Sequence, residues 1–121
     1  MIKGIKFVNI PVTDQDRALA FYTEKLGFRI HTDQPFNDQQ RWIELSIPGA
    51  DTGVTLFTPD EHKSRIGGFT GISFHTDDVQ RTYEELSARG VEFTGPPQKQ
   101  PWGHFAMFKD VDGNQFVMSS R

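Results

Sequence analysis

One pattern, met twice, constrains this chain more than any other feature of it. In the first half Phe7, Val8, Ile10 and Val12 form a short apolar run that ends at Thr13-Asp14, and in the second Ile72 and Phe74 lead to Thr76-Asp77-Asp78. Amphipathic stretches follow each signal. Ala18, Phe21, Tyr22 and Leu26 recur at spacings of three and four, as do Val79, Tyr83 and Leu86, so each set lies on one face of a helix. Thr13 with Asp16 resembles a capping box, in which a hydroxyl accepts from the third helical N–H. Gly27 and Gly90 then stand where a helix commonly ends in left-handed backbone, and Phe28-Arg29-Ile30 and Val91-Glu92-Phe93 re-enter β structure. Each half closes on a hairpin: Arg41 to Ile47 with Val54 to Thr58, and His104 to Phe108 with Gln115 to Ser119. The polar stretch His31 to Gln40 reads as a loop, and so does the proline-rich Gly95 to Gly103, with Trp102 near its tip.

The duplication predicts an α+β fold of two tandem βαβββ modules, about 1–58 and 70–121, joined by a linker over 59–69 that holds Pro59, Gly67 and Gly68. One such unit cannot bury both its helix stripe and its sheet, so repeats are expected to complete each other's core, within one chain or across chains, and a homodimer is expected. A length of 121 residues fits a single domain of this kind.

Composition limits the chemistry. Hydrophobic residues are 36% and charged residues 24%, enough apolar mass for a packed interior. Lys and Arg number 13 against 16 Asp and Glu, a net charge of −3 with no basic stripe, which argues against a phosphate-driven nucleic-acid binder. No apolar run is long enough to cross a bilayer and no leader pattern opens the chain, so no membrane partner and a cytoplasmic location are expected. Without cysteine there is no disulfide and no thiolate, which leaves His, Asp and Glu as metal ligands or acid/base groups. Asp110-Val111-Asp112-Gly113-Asn114 opens like a calcium loop, but Gln115 and Arg121 stand where that loop needs glycine and glutamate.

The tandem βαβββ pattern, the first helix ending Ala20-Phe-Tyr-Thr-Glu-Lys-Leu-Gly-Phe28 and the last turn Phe108-Lys-Asp-Val-Asp-Gly-Asn114 resemble the vicinal oxygen chelate superfamily. That group contains glyoxalase I, bleomycin-resistance proteins, extradiol dioxygenases and fosfomycin-resistance enzymes. The resemblance covers nearly the whole chain. It implies a cupped mixed sheet whose concave face holds the ligand and, in the enzymes, a divalent metal held from four strands. Carried over, those four positions fall on Phe7, Leu56, Gly71 and Val117, none of which supplies a side-chain ligand. No metal and no cofactor are therefore expected.

Strand alternation nominates what else lines such a cup. Phe7, Asn9 and Pro11 share a face; Asn9 either satisfies nearby backbone or bonds a ligand. Gly71, Ser73 and His75 share another, which makes His75 a candidate acid or base. Ile43, Leu45 and Ile47 are expected toward the helix, leaving Trp42, Glu44 and Ser46 on the cup side. Phe105 and Met107 would extend an apolar floor, with Trp102 in a closing loop, while His31 and His62 read as exposed. The function expected first is a metal-independent small-molecule-binding protein, with Phe7, Asn9, Trp42, Ser73, Trp102, Phe105 and Met107 in contact with the ligand. The alternatives are an enzyme, a glyoxalase-like lyase or isomerase or a dioxygenase, in which Glu44 and His75 carry the chemistry, and a structural or regulatory module.

Overall fold

The structure, a computed structural model, describes residues 1–58 and 63–120; His62 falls outside them. The chain divides into two compact units, Met1–Ile66 and Gly67–Arg121.

The first unit runs β1 (Phe7–Pro11), α1 (Gln15–Ala20), β2 (Arg29–Pro35), β3 (Arg41–Ser46) and β4 (Gly53–Phe57), with α1 continuing as a wider π turn over Phe21–Lys25. Its sheet has the order β1-β4-β3-β2, with β1 parallel to β4 and the other pairs antiparallel. Register places Ile10 beside Leu56 and Leu56 beside Ile43, and Val8 beside Val54 and Val54 beside Leu45. Ile10, Leu56, Ile43, Val54 and Leu45 are buried, as are Ala18, Phe21 and Tyr22 of the helical stretch, so these side chains form the core between helix and sheet. Each fully buried Leu or Ile contributes about 1.5–3 kcal/mol. Gly53 is required where β4 begins: a Cβ there would stand 2.6 Å from the Leu45 carbonyl oxygen.

The second unit runs β5 (Phe69–His75), α2 (Val79–Ala88), β6 (Glu92–Phe93), β7 (Gln98–Gln100), β8 (Gly103–Lys109) and β9 (Gln115–Ser120). Its main path, β5-β9-β8-β6, repeats the first-last-hairpin-second order of the first unit, and β7 pairs β8 in addition. Val79, Leu86, Ala106, Phe108, Phe116 and Met118 are buried in its core. Phe74, Phe108 and Phe116 pack as a ring cluster with centroids 5.3–6.1 Å apart. α2 ends as the sequence predicts, in a glycine cap: Gly90 has φ 91°, its N–H donates to the Ser87 carbonyl, and the Val91 N–H donates to that of Leu86.

Three sequence expectations change. The first helix is capped by Asp14, whose carboxylate accepts from the Arg17 N–H at 3.1 Å; Asp78 does the same for Arg81 at 3.0 Å. The capping box of Thr13 and Asp16 is thus displaced by one residue, and the Asp16 carboxylate instead accepts from Arg41 at 2.7 Å. β2 runs on to Pro35, through the stretch read as a loop: it is an edge strand held by its ladder with β3, and its side chains are mostly exposed. The Gly95 to Gly103 connection contains β7: Pro96, Pro97 and Pro101 bracket a three-residue window, Gln98–Gln100, whose backbone can pair. Among the described residues no helix is long and apolar enough to cross a membrane.

Candidate functional site

Each sheet has one face turned to its helix and one turned away, and the candidate residues collect on the second. In the first unit, register aligns Asn9, Thr55, Glu44 and Thr32 across all four strands, one polar row on the face opposite the core rows. Thr55 donates its hydroxyl proton to the Asn9 side-chain oxygen. Trp42, two residues from Glu44, lies on that same face, and around it gather Phe7 at 5.6 Å between ring centroids, edge-on, and Phe36 at 6.2 Å; Phe36 in turn meets Phe57 at 6.0 Å.

The loop that carries Phe36 is pinned by Gln40, whose carbonyl accepts from the Phe36 N–H at 2.9 Å and whose side-chain oxygen accepts from the Thr58 N–H at 2.5 Å. Gln15, the first residue of α1, clamps the adjoining strands: its amide donates to the carbonyls of Arg41 and Leu56 at 2.8 and 2.9 Å, and accepts from the Arg41 N–H at 3.0 Å. Arg41 points to the other side, held by Asp16 and Asp33. The Asp16 hydrogen bond, opposed by desolvation and aided by Asp33, raises its guanidinium above the ordinary value. It stays a cation and is committed.

Glu44 differs. Its side chain is 14% exposed, and its one polar partner among the described residues is His31, Nε2 to Oε2 3.9 Å, with a side chain 65% exposed. That is beyond hydrogen-bond length. His31 reaches Glu44 because it is the extra residue where the β2 register shifts between Ile30 and Thr32. The sequence reads His31 as the start of a loop, and no local pattern in it signals this register shift.

In the second unit the face turned away from α2 carries two rows: His75, Ser119, Phe105 and Gln98, then Ser73, Val117 and Met107. Ser73 and Ser119 share a hydroxyl–hydroxyl hydrogen bond at 3.1 Å, and His75 is exposed. Trp102 stacks on Phe105 with centroids 5.3 Å apart and planes at 22°. Ser73, His75, Trp102, Phe105 and Met107 therefore belong to this unit, and Phe7, Asn9, Trp42 and Glu44 to the first. The opposite parity aligns Lys99, His104 and Ser120, which with Asp77, Asp78 and Trp102 border an open pocket of about 460 Å³.

The four positions implied for a metal do not form a ligand set. Leu56 is corrected: it is fully buried on the helix side, so the β4 residue on the face of Phe7 and Asn9 is Thr55. β4 lies between two strands and is buried throughout Gly53 to Leu56, which is why its apolar pattern did not reveal its parity. Gly71, with φ 75°, sits where the β5 register shifts between Phe69 and Ser73. Phe7, Thr55, Gly71 and Val117 offer one hydroxyl, already donating to Asn9, and no imidazole or carboxylate. Among the described residues no three His, Asp or Glu side chains converge. The described residues at these four positions do not make a ligand set for a catalytic divalent ion.

A model of the Glyoxalase/Bleomycin resistance protein/Dioxygenase superfamily matches residues 4–118. The protein YetH of Bacillus subtilis (strain 168) is 39% identical over 118 residues, covering 98% of this chain and 98% of its own. A crystal structure of a member of the same superfamily from Sphaerobacter thermophilus superposes with a TM-score of 0.90 at 38% identity, covering 99% of this chain and 98% of that one. TnmS3, an antibiotic binding protein from Streptomyces sp. CB03234, superposes with a TM-score of 0.86 at 35% identity, covering 98% and 96%.

Proposed function

Since the chain belongs to the Glyoxalase/Bleomycin resistance protein/Dioxygenase superfamily, we propose that it binds a small, partly aromatic molecule without a metal ion and without transforming it. The observation that carries this reading is the first unit's face opposite α1. Flat apolar rings, Trp42 with Phe7 and Phe36, adjoin polar groups that the protein leaves available: the Glu44 carboxylate, the Asn9 amide N–H groups and the Trp42 indole N–H have no hydrogen-bond partner among the described residues. Apolar walls with a few placed polar groups are what small-molecule sites use. Likeness to TnmS3, an antibiotic binding protein, supports the same direction. The second unit's face, with Phe105, Met107, Ser73 and the Trp102 ring stacked on Phe105, contributes a comparable mixture.

Homodimerisation belongs to this proposal, because units of this size gain stability and complete their binding surfaces by association. The test is a thermal-shift screen of aromatic metabolites and antibiotics in chelator-containing buffer, run on the wild type and on Trp42→Ala. Hits that survive chelation and fail with Trp42→Ala support the proposal. Hits that require added metal, or a hit consumed and converted by the protein, count against it.

A further inference from the structure

We infer that the ligand of the first unit's face carries a cationic nitrogen, which sits beside Glu44 and against the Trp42 ring; this rests on the proposed reading of that face as a binding surface. The Glu44 side chain is only 14% exposed, so its carboxylate is partly withdrawn from solvent and a cation placed beside it would gain a charge-assisted contact. Among the described residues no neighbour supplies one at hydrogen-bond distance. Thr55, opposite in register, gives its proton to Asn9. Thr32, opposite on the other side, forms no hydrogen bond to it. His31 stands at 3.9 Å and is mostly in solvent, where its attraction is screened. Arg41 is on the reverse side of β3, bound to Asp16 and Asp33. Arg29, which pairs with Ser46 in register, forms no ion pair among the described residues.

Trp42 and Glu44 alternate onto one face of β3, and Phe7 packs edge-on to the indole, holding it in place. An indole face attracts a cation most strongly of the aromatic side chains, and a charge-assisted hydrogen bond to carboxylate adds direction. One cation can meet both. Phe36, tilted at 43° to Trp42, extends the apolar wall for the remainder of a planar ligand.

The test uses three planar three-ring probes that differ in charge: proflavine as the cation, 9-anthracenemethanol as the neutral probe and anthraquinone-2-sulfonate as the anion. Affinities are measured by calorimetry on the full chain, for wild type, Glu44→Gln and Trp42→Ala. We expect proflavine to bind about tenfold or more tightly than the neutral probe, as one charge-assisted contact implies. Glu44→Gln, which keeps the side chain's shape, should narrow that ratio to about twofold. A wild-type ratio near one, or a ratio unchanged by Glu44→Gln, overturns the inference while Trp42-dependent binding leaves the site reading standing. Binding that Trp42→Ala does not weaken, or no binding of any probe, overturns the site reading and the inference together.

Discussion

At the scale of single residues, the alternation of β3 decides most of the site. Ile43 and Leu45 are sealed against the helix while Trp42 and Glu44 face away, and this could be read from the sequence because only one parity of Arg41–Ser46 is purely aliphatic at its centre. The prediction is a separation of effects. Leu45→Ala should cost about 2–5 kcal/mol of stability in chemical denaturation, as a buried large-to-small change does, whereas Trp42→Ala should mainly cost ligand affinity. In the second unit Asn114 is fully buried: its side-chain oxygen accepts from the Gly67 N–H at 2.8 Å and its amide donates to Asp110 at 2.9 Å. Asn114→Ala should lose about 1–3 kcal/mol by stranding those partners, measured by the same denaturation. The residue that escaped sequence reasoning is His31, whose approach to Glu44 depends on a register shift that no local pattern encodes. Leu56 escaped for a different reason: in Gly-Val-Thr-Leu-Phe both parities hold large apolar side chains, so alternation carries no information.

At the scale of elements, the repeated Asp that opens each helix was visible as a duplicated signal, and its role follows from geometry. Asp14 and Asp78 both have extended backbone, φ −137° and −143°, and each carboxylate accepts from the N–H three residues on. Asp14→Ala and Asp78→Ala should each lower stability by about 1 kcal/mol, with Asn in place of either Asp recovering most of it. Thermal melts of the single variants check this; no loss in either would contradict the capping assignment. The elements that sequence reasoning shortened, β2, or passed over, β7, are edge strands. Their side chains are mostly exposed, so they lack the hydrophobic period by which interior strands are recognised, and they exist through backbone pairing with β3 and β8.

At the scale of the whole molecule, two units with the same strand order present faces of similar chemistry. Light scattering coupled to size exclusion should give twice the chain mass at tens of micromolar protein; a monomer at that concentration would remove the dimer from the account. The measurement closest to the central claim is fluorescence titration in buffer containing chelator. The chain has two tryptophans, so Trp102→Phe leaves Trp42 as the sole indole reporter on the proposed face. Titrating that variant with planar aromatic compounds should change the Trp42 emission saturably, with the same affinity before and after adding zinc, nickel, manganese or iron(II). Saturable binding that appears only once one of those metals is present would contradict a metal-independent binding protein.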